Sequence, residues 1–597
     1  MPKWVLKQEE ANIELMSQTL RISKAMSQVL VNRGIRTKNT AIRFLNPSYS
    51  DFHDTLEMKD MRAGLEIVSR SITAGEKIVI YGDYDADGVM STVILFKTLT
   101  RLGADVLYYI PERVEEGYGL NMSAIAGIAD SGVKLIVTCD NGIASKDEIA
   151  AAHSLGMKVV VIDHHEPGFT QDDDGVRHDI SPEADAVIDP KQGDCEYPFK
   201  SLCAGGLAYK FAKALYAYMG EDFAADEEEY LVFAMIATIC DIVELHDENR
   251  VIVYEGLAAL NRNKAVNIGL GALLDAKGYT QRQIDATAVG FIIGPCINAS
   301  GRLEHARFAV DLFVSEDAEE VCRDAEWLVK LNDSRRTLTK DAFDSADAQL
   351  AASGILDDNV LVVYDASIHE SVAGIVAGRL KDKYYKPAIV ITEGEECLKG
   401  SARSIEGYNI FEEMYKNSDL FVRFGGHAMA AGLSIKRENV DELRRRLNTD
   451  FNLTGDDLLP KIYYDGELEI GDITYDLAKE LLMLEPFGKD NRAPLFCSRN
   501  QTIQELRVIE GKNTIIMTFI PNGGYRKVKA VNFGTIAQLR QMLHEHLPAE
   551  EAEAIMAGEQ RRTDLPFDLL YEIELDEYNG NVSVQMRIKD FKVSDSQ

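Results

Sequence analysis

The chain has 597 residues, 46% of them hydrophobic and 27% charged, an ordinary globular composition. That length is too great for one core, and about three or four domains are expected. Its 97 acidic residues outnumber its 64 basic ones, a net charge of -33. Taken alone, this balance argues against nucleic acid, because phosphate binding draws on lysine and arginine, although a local groove can be basic on an acidic protein. No stretch is long and apolar enough to cross a membrane, and residues 1–4 do not open a signal peptide. None of the eight cysteines (139, 195, 203, 240, 296, 322, 397 and 497) forms a Cys-x-x-Cys pair. Neither a zinc site nor a disulfide framework is indicated, and a cytoplasmic location is expected.

Residues 1–60 read as a helical lead-in, with amphipathic 23–33 and a shorter helical piece at 37–45. From Lys77 the pattern becomes strand, helix, strand, helix. The apolar run Lys77–Tyr81 ends in Asp83, Asp85 and Asp87, and Gly88 then opens an apolar helical pattern over 89–102. Three carboxylates so close repel one another, and a divalent cation with a preference for oxygen ligands is the usual remedy. Asp-x-Asp-x-Asp-Gly also opens a calcium-binding helix-loop-helix, but the twelfth position, which there requires Glu, is Ile94. A solvated acidic turn is the plainer alternative, yet it gives no reason for joining a buried strand to an apolar helix.

Further strands are expected at 104–110, 134–139 and 158–162, with helices at 122–131 and 145–155 between them. Continuous apolar strands alternating with helices indicate a parallel sheet covered on both faces, where ligands collect at the carboxyl ends of the strands. Those ends carry Asp83, Asp85 and Asp87, then Asp140-Asn141-Gly142, then Asp163-His164-His165. Carboxylate and imidazole delivered to one edge are metal-ligand types. Asp241 stands in the apolar helical stretch 230–243, where a carboxylate is costly unless paired or bound to metal; a helix-end Asp facing solvent is the alternative. Residues 317–349 read as one long connecting helix.

A strand at 359–364 begins a second α/β unit, followed by a helix at 372–383 and a strand at 388–392. Lys399-Gly400-Ser401-Ala402-Arg403-Ser404 and the glycine-rich 423–432, which contains His427, are segments in which backbone N–H groups and a guanidinium can grip an anion. Ser401, Arg403 and His427 form a candidate phosphate clamp. From about Lys461 the signal turns to β, with strands expected at 501–508, 514–520, 528–532 and 567–575, as in a small barrel of the type that binds single strands. Between Arg499 and Lys529, six basic residues face two acidic ones, with Tyr525 among them as a base-stacking candidate; a solvated hairpin face is the alternative. Residues 593–597 are expected to fray.

Asp83-Tyr84-Asp85-Ala86-Asp87-Gly88, Asp140, Asp163-His164-His165 and Ile239-Cys240-Asp241 resemble the four motifs of the DHH phosphoesterase superfamily. His369 to Ala377, Gly400-Ser401-Ala402-Arg403 and Gly425-Gly426-His427 are similar to its DHHA1 domain. Ile110 to Arg113, Glu116-Gly117-Tyr118-Gly119-Leu120, Gly294 to Arg302 and Pro486-Phe487-Gly488 narrow the resemblance to the bacterial RecJ branch, over roughly residues 60–580.

The resemblance implies a 5′-to-3′ exonuclease on single-stranded DNA that releases nucleotides, acts in repair and recombination, and cooperates with single-strand-binding protein as a monomer. It implies two divalent ions, Mn2+ or Mg2+, held by Asp85, Asp87, Asp140, His164 and Asp241. Asp83 and His165, with Asp140, would serve the chemistry by orienting ligands, water or the scissile phosphate. Arg113, Asn298, Arg302, Ser401, Arg403 and His427 would bind substrate. The implied domains are 1–60 (lead-in), 61–245 (DHH catalytic), 246–352 (helical, with the connector), 353–455 (DHHA1) and 456–597 (OB-type barrel and tail).

Two departures stand out. Many relatives outside this branch carry His where this chain has Tyr81, and the loop after the Asp-His-His triplet bears Asp172-Asp173-Asp174, more acidic than usual. A nanoRNase or cyclic-dinucleotide phosphodiesterase shares both catalytic domains but lacks the connector and terminal barrel. A non-catalytic DHH scaffold typically loses ligands that this chain retains.

Overall fold

A computed structural model describes residues 2–7, 11–113, 116–171, 177–521, 526–578 and 580–594. Residues 172–174 and Tyr525 lie outside the described residues, as do 595–597; Val593 itself ends the last strand. The chain forms two compact units. One comprises Phe52–Val243 and Val251–Pro460, the other Pro2–Asp51, Glu244–Arg250 and Lys461–Gln597.

The first unit contains two five-stranded sheets. In one, β1 (Lys77–Tyr81), β2 (Asp105–Tyr109), β3 (Leu135–Cys139), β4 (Lys158–Ile162) and β5 (Ala186–Ile188) lie in the order β2-β1-β3-β4-β5, all parallel. Ile78, Ile80, Leu135, Ile136, Val160 and Val161 are fully buried, as both-face coverage requires. The connecting helices are α1 (Ala86–Arg101), α2 (Met122–Asp130) and α3 (Lys146–Ser154); α4 (Ala204–Met219) and α5 (Glu227–Cys240) follow β5. The chain passes from β1 to β2 on one side and then back across β1 to β3. Strand order therefore reverses between β1 and β3, which opens a crevice at their carboxyl ends.

The chain continues through α6 (Gly294–Leu303), preceded by a π-helical turn at Val289–Ile293, to the 36-residue α7 (Ala318–Ser353). Asp317 caps α7, its Oδ1 accepting the N–H groups of Glu319 and Glu320 at 2.8 and 3.1 Å. In the second sheet, β6 (Leu361–Tyr364), β7 (Ala388–Thr392), β8 (Leu398–Arg403), β9 (Phe421–His427) and β10 (Ala430–Ile435) run in the order β9-β10-β8-β7-β6. Helix α8 (Glu370–Tyr384) covers this sheet, and α7 packs against both α6 and α8.

In the second unit the strands are β11 (Gly466–Glu467), β12 (Phe496–Thr502), β13 (Glu505–Ile509), β14 (Thr514–Phe519), β15 (Val528–Phe533), β16 (Pro566–Tyr578) and β17 (Asn581–Val593), in the order β11-β12-β16-β17-β15-β14-β13. Among the described residues β11 and β13 do not pair, so the sheet of the expected OB-type barrel is not closed. The strand expected at 501–508 is two strands, because the chain turns between Thr502 and Glu505.

The 1–60 lead-in does not stand as a separate piece. Lys3–Leu6 pairs in parallel with Lys461–Tyr464, and Met26, Val29, Leu30 and Phe44 share one core with Leu484, Phe496 and Phe591. The apolar face of 23–33 needs a partner, and the terminal sheet supplies it. The positive charge at the two ends of the stretch Arg499 to Lys529 is offset in three dimensions. Arg499 pairs with Glu467 and Asp568, each at 3.1 Å, and Lys529 with Asp576 at 3.4 Å.

Candidate metal centre and phosphate pocket

Parallel pairing brings the strand ends level. Tyr81 is opposite Thr138, and Cys139 is opposite Ile162. The chain leaving β1 turns sharply so that Asp85 becomes the N-cap of α1, its Oδ1 accepting the N–H groups of Asp87 and Gly88 at 2.9 and 3.1 Å. A Cβ at Gly88 would lie 2.6 Å from the backbone of Asp83, so only glycine allows this turn. Asp87 is turned inward to the N-terminus of α4, where its two oxygens accept Ala204 N–H at 2.9 Å and Gly205 N–H at 2.7 Å.

At the end of β3, Asp140 adopts a left-handed conformation with φ of 64°. Tyr118 donates its hydroxyl proton to the Asp140 carbonyl oxygen at 2.9 Å, and the same hydroxyl lies 3.1 Å from His165 Nδ1. Asn141 donates its amide to the Gly82 and Cys139 carbonyl oxygens, each at 3.0 Å, which ties β3 to the acidic turn. Asp241 follows the last residue of α5.

These side chains converge. One set holds Asp83, Asp85 and Asp140, a second Asp87, His164 and Asp241, and a third Asp140, His164 and His165; within each set the ligand atoms all lie within 4.8 Å of one another. His164 Nε2 is 3.0 Å from Asp140 Oδ1 and 3.6 Å from Asp87 Oδ2, and its Nδ1 is 3.8 Å from Asp241. Asp140 and His164 thus bridge the sets.

The electrostatics are those of an anionic well. Burial, and then the neighbouring Asp85, push the Asp83 carboxyl well above its ordinary range. Burial and Asp87 do the same to Asp140. Asp87 is raised to about 7 by burial and Asp85, and Asp241 to about 7 by burial and Asp87. Asp83 Oδ1 is buried without a hydrogen-bond partner. A buried, unpartnered carboxylate oxygen beside buried Asp87 and Asp140 and half-buried Asp85 and Asp241 fits a hard divalent cation. Burial and His165 hold His164 down to about 4, which leaves it neutral as a ligand must be.

Burial works against charge on His165, but the hydrogen bond from its Nδ1 to Asp163 Oδ1 at 2.7 Å, and the charge of Asp163, outweigh it and lift the ring to about 9. Asp163 is itself brought down to about 2, because its bonds to His165 and the Ile143 N–H outweigh burial.

Asp83, expected as a supporting member, stands in the same carboxylate set as Asp85 and Asp140. The side chains that contact His165 are less visible in the sequence: Asp163, displayed only as the first letter of its triplet, and Tyr118, marked only by its Gly-Tyr-Gly setting. Tyr81 is the last residue of β1, just before the acidic turn. It is fully buried and donates to the Gly119 carbonyl oxygen at 3.3 Å.

Arginines lie beside this centre. Arg113 rests 4.8 Å from the centroid of the Tyr84 ring, and Arg302 donates from Nη1 to the Ser371 carbonyl oxygen at 2.7 Å. Arg403 donates to Ser401 Oγ at 3.1 Å and to the Ala402 carbonyl oxygen at 2.8 Å. A Cβ on Gly374 of α8 would sit 2.9 Å from Ser401 Oγ and 3.0 Å from Arg403 Nη2, so the glycine leaves a cradle over both.

Arg403, Ala430 and His427 share one cross-strand row, as do Ser401, Gly432 and Gly425. The small middle residues leave a trough, with His427 about 10 Å from Arg403 by two strand spacings. Asn298, expected to bind substrate, lies against the acidic turn. Its Oδ1 accepts the Ala86 N–H at 2.8 Å, bracing the acidic turn.

The family models for the DHH family, N-terminal domain, the DHHA1 domain and the RecJ OB domain match residues 77–238, 357–452 and 464–590. The single-stranded-DNA-specific exonuclease RecJ of Bacillus subtilis is 37% identical over 100% of this chain and 71% of its own length. That of Salmonella typhimurium is 29% identical over 95% of each. The crystal structure of RecJ in complex with Mn2+ from Thermus thermophilus superposes with a TM-score of 0.80 at 25% identity, covering 100% of this chain and 80% of that one. The chain belongs to the RecJ family of single-stranded-DNA-specific exonucleases.

Proposed function

We propose that this protein is a metal-dependent exonuclease that hydrolyses single-stranded DNA from its 5′ end, releasing nucleotides, in DNA repair and recombination. The observation that carries the reading is the adjacency of two chemistries. A buried carboxylate and imidazole cluster stands next to arginines that have no carboxylate partner among the described residues, and Arg113 is close enough to act electrostatically on Asp83, Arg302 and Arg403. The relatives named above are single-stranded-DNA-specific exonucleases, which supports the substrate.

Asp83, Asp85, Asp87, Asp140, His164 and Asp241 would hold Mn2+ or Mg2+. Bound there, two divalent cations would offset the charge of the phosphodiester, lower the pKa of a water molecule and stabilise the departing oxygen. The protein's own groups do the rest. Arg113, Arg302, Ser401 and Arg403 grip a terminal phosphate and fix which bond lies over the carboxylates, which sets polarity. Asp163 keeps His165 protonated, and the imidazolium stabilises charge on a phosphate oxygen beside Asp140. His427 closes the far side of the trough.

No helix among the described residues is long and apolar enough to cross a membrane. We assign the protein to the cytoplasm as a monomer that cooperates with single-strand-binding protein.

The test compares a 5′-phosphorylated single strand, the same strand in duplex, a dinucleotide and a cyclic dinucleotide, each with Mn2+. Preferred shortening of the long single strand from its 5′ end is expected; a preference for either dinucleotide would replace the reading with that of a small-substrate phosphodiesterase. Asp140→Ala should abolish cleavage while DNA still binds, and retained activity would sink the metal assignment.

A further inference from the structure

The loop that leaves β2 supplies a side chain to each half of the site. Arg113 rests against the Tyr84 ring on the phosphate side, and Tyr118 reaches the Asp140 carbonyl oxygen and His165 on the metal side. Glu116 lies between them in sequence.

Both oxygens of the Glu116 carboxylate are spent on the loop and its anchors. Oε1 accepts the hydroxyl of Tyr109, the last residue of β2, at 2.6 Å. It also accepts the side-chain amide of Asn121, the N-cap of α2, at 2.6 Å. Oε2 accepts the Glu112 N–H at 2.7 Å, while the Glu112 carbonyl oxygen accepts the N–H groups of Glu116 and Gly117 at 2.9 and 3.1 Å. Glu112, the residue before Arg113, is thus held by both of its backbone groups.

The anchors are themselves fixed. The centroid of the Tyr109 ring lies 5.0 Å from that of Tyr81, whose hydroxyl donates to the Gly119 carbonyl oxygen at 3.3 Å. Asn121 Oδ1 accepts the Ala124 N–H at 2.8 Å, which sets the start of α2. Burial works against charge on Glu116, but the bonds from Tyr109, Glu112 and Asn121 outweigh it and keep the carboxyl below its ordinary range. Hydrogen bonds to a charged acceptor are roughly twice as strong as neutral ones, so the clasp is a firm one.

We infer that Glu116 is a positioning residue that sets the distance between Arg113 and Tyr118. A terminal phosphate held at Arg113 then leaves the next phosphodiester at the Asp140 and His165 end of the site. The inference rests on the proposed function. Glu116 touches neither the strand nor a metal ion and acts through the two side chains that it spaces.

The experiment uses the full-length chain. Affinity for a fluorescent 5′-phosphorylated strand and for its 5′-hydroxyl counterpart is measured in EDTA, and kcat on the phosphorylated strand is measured with Mn2+. Glu116→Gln keeps the shape but puts an amide N–H group where the loop needs an acceptor. It should weaken binding of the phosphorylated strand about tenfold, leave the hydroxyl strand nearly unchanged, and lower kcat about fivefold. The binding loss should vanish in an Arg113→Gln background and the kcat loss in a Tyr118→Phe background, because the target of each effect is already gone. Tyr109→Phe removes one donor and keeps the ring. It should show the same pattern at about threefold, which decides the matter should the Glu116 variant fail to fold. Equal losses on both strands, losses that multiply in either background, or no loss would overturn the inference. If the wild-type chain binds the strand without shortening it, the nuclease reading fails, while the comparison in EDTA still decides whether Glu116 positions Arg113.

Discussion

The Tyr118 hydroxyl donates to the backbone carbonyl oxygen of Asp140 at 2.9 Å while lying 3.1 Å from His165 Nδ1. One side chain thereby spans the ends of β3 and β4. Asp140 has φ of 64°, a conformation that a non-glycine residue keeps only when its surroundings hold it. Gly117 and Gly119, with φ of 83° and 86°, let the chain present Tyr118 from between them.

Tyr118→Phe keeps the ring and removes the bond. A net hydrogen bond of about 1 kcal/mol corresponds to roughly a fivefold to tenfold loss. The loss should fall on kcat, with KM for the single strand little changed and the Mn2+ concentration for half-maximal rate increased. Steady-state kinetics at several Mn2+ concentrations measure this. A change confined to KM would show that Tyr118 touches substrate and does not position Asp140.

The metal-free protein should respond to pH in a direction opposite to ordinary acid denaturation. Asp87 and Asp241, each raised to about 7, bind protons in the folded state that they release in the unfolded state above about 4. Between those values the folded state holds more protons, so its stability falls as pH rises from about 4 to about 7 and stays low above. A divalent cation replaces those protons and removes the penalty. The melting temperature in EDTA should therefore be higher at pH 5.5 than at pH 8, and added Mn2+ should raise it more at pH 8. Equal Mn2+ effects at both pH values would contradict the buried acidic cluster as the binding site.

Much of this centre was legible in the sequence because a parallel strand buried on both faces leaves an unbroken apolar run, as in Lys158–Ile162, and the next residues must lie at the sheet edge. What was not legible depended on turn geometry or on distant partners. That Asp85 spends one oxygen capping α1 while Asp83 Oδ1 is left bare shows in no periodicity. The pairing of Lys3–Leu6 with Lys461–Tyr464 joins ends of the chain that no local pattern connects. Arg499 and Lys529, at the ends of the basic run, read as free for DNA because their partners Asp568 and Asp576 stand far along the sequence.

Arg250 makes that union of distant segments testable. It is 1% exposed, its guanidinium lies 3.8 Å from the centroid of the Phe44 ring, and it donates to the carbonyl oxygens of Phe44 at 2.6 Å and Glu485 at 2.8 Å. Three sequence-distant segments of the second unit meet on one planar fork. Arg250→Ala leaves those buried carbonyls without their donor and opens a cavity, at a cost of about 3 kcal/mol. Lysine cannot reproduce the fork, so Arg250→Lys should recover little. Urea unfolding followed by limited proteolysis should show the N-terminal segment and the terminal sheet released together. Release of the N-terminal segment alone would mean that Arg250 does not couple them.

Gly374 offers the sharpest test of the phosphate pocket, because the predicted change is steric and local. The backbone there is helical, so alanine is compatible with α8 and even favoured by helix propensity. Its Cβ, however, would stand 2.9 Å from Ser401 Oγ and 3.0 Å from Arg403 Nη2, and both side chains would have to withdraw. The carboxylate cluster would not be touched. Gly374→Ala should therefore leave melting temperature and Mn2+ dependence unchanged while raising KM for a 5′-phosphorylated strand about tenfold, the share of one charge-assisted contact. A strand bearing a 5′-hydroxyl never used that contact, so its KM should hardly change. Equal loss on both strands would mean that Ser401 and Arg403 do not bind the terminal phosphate.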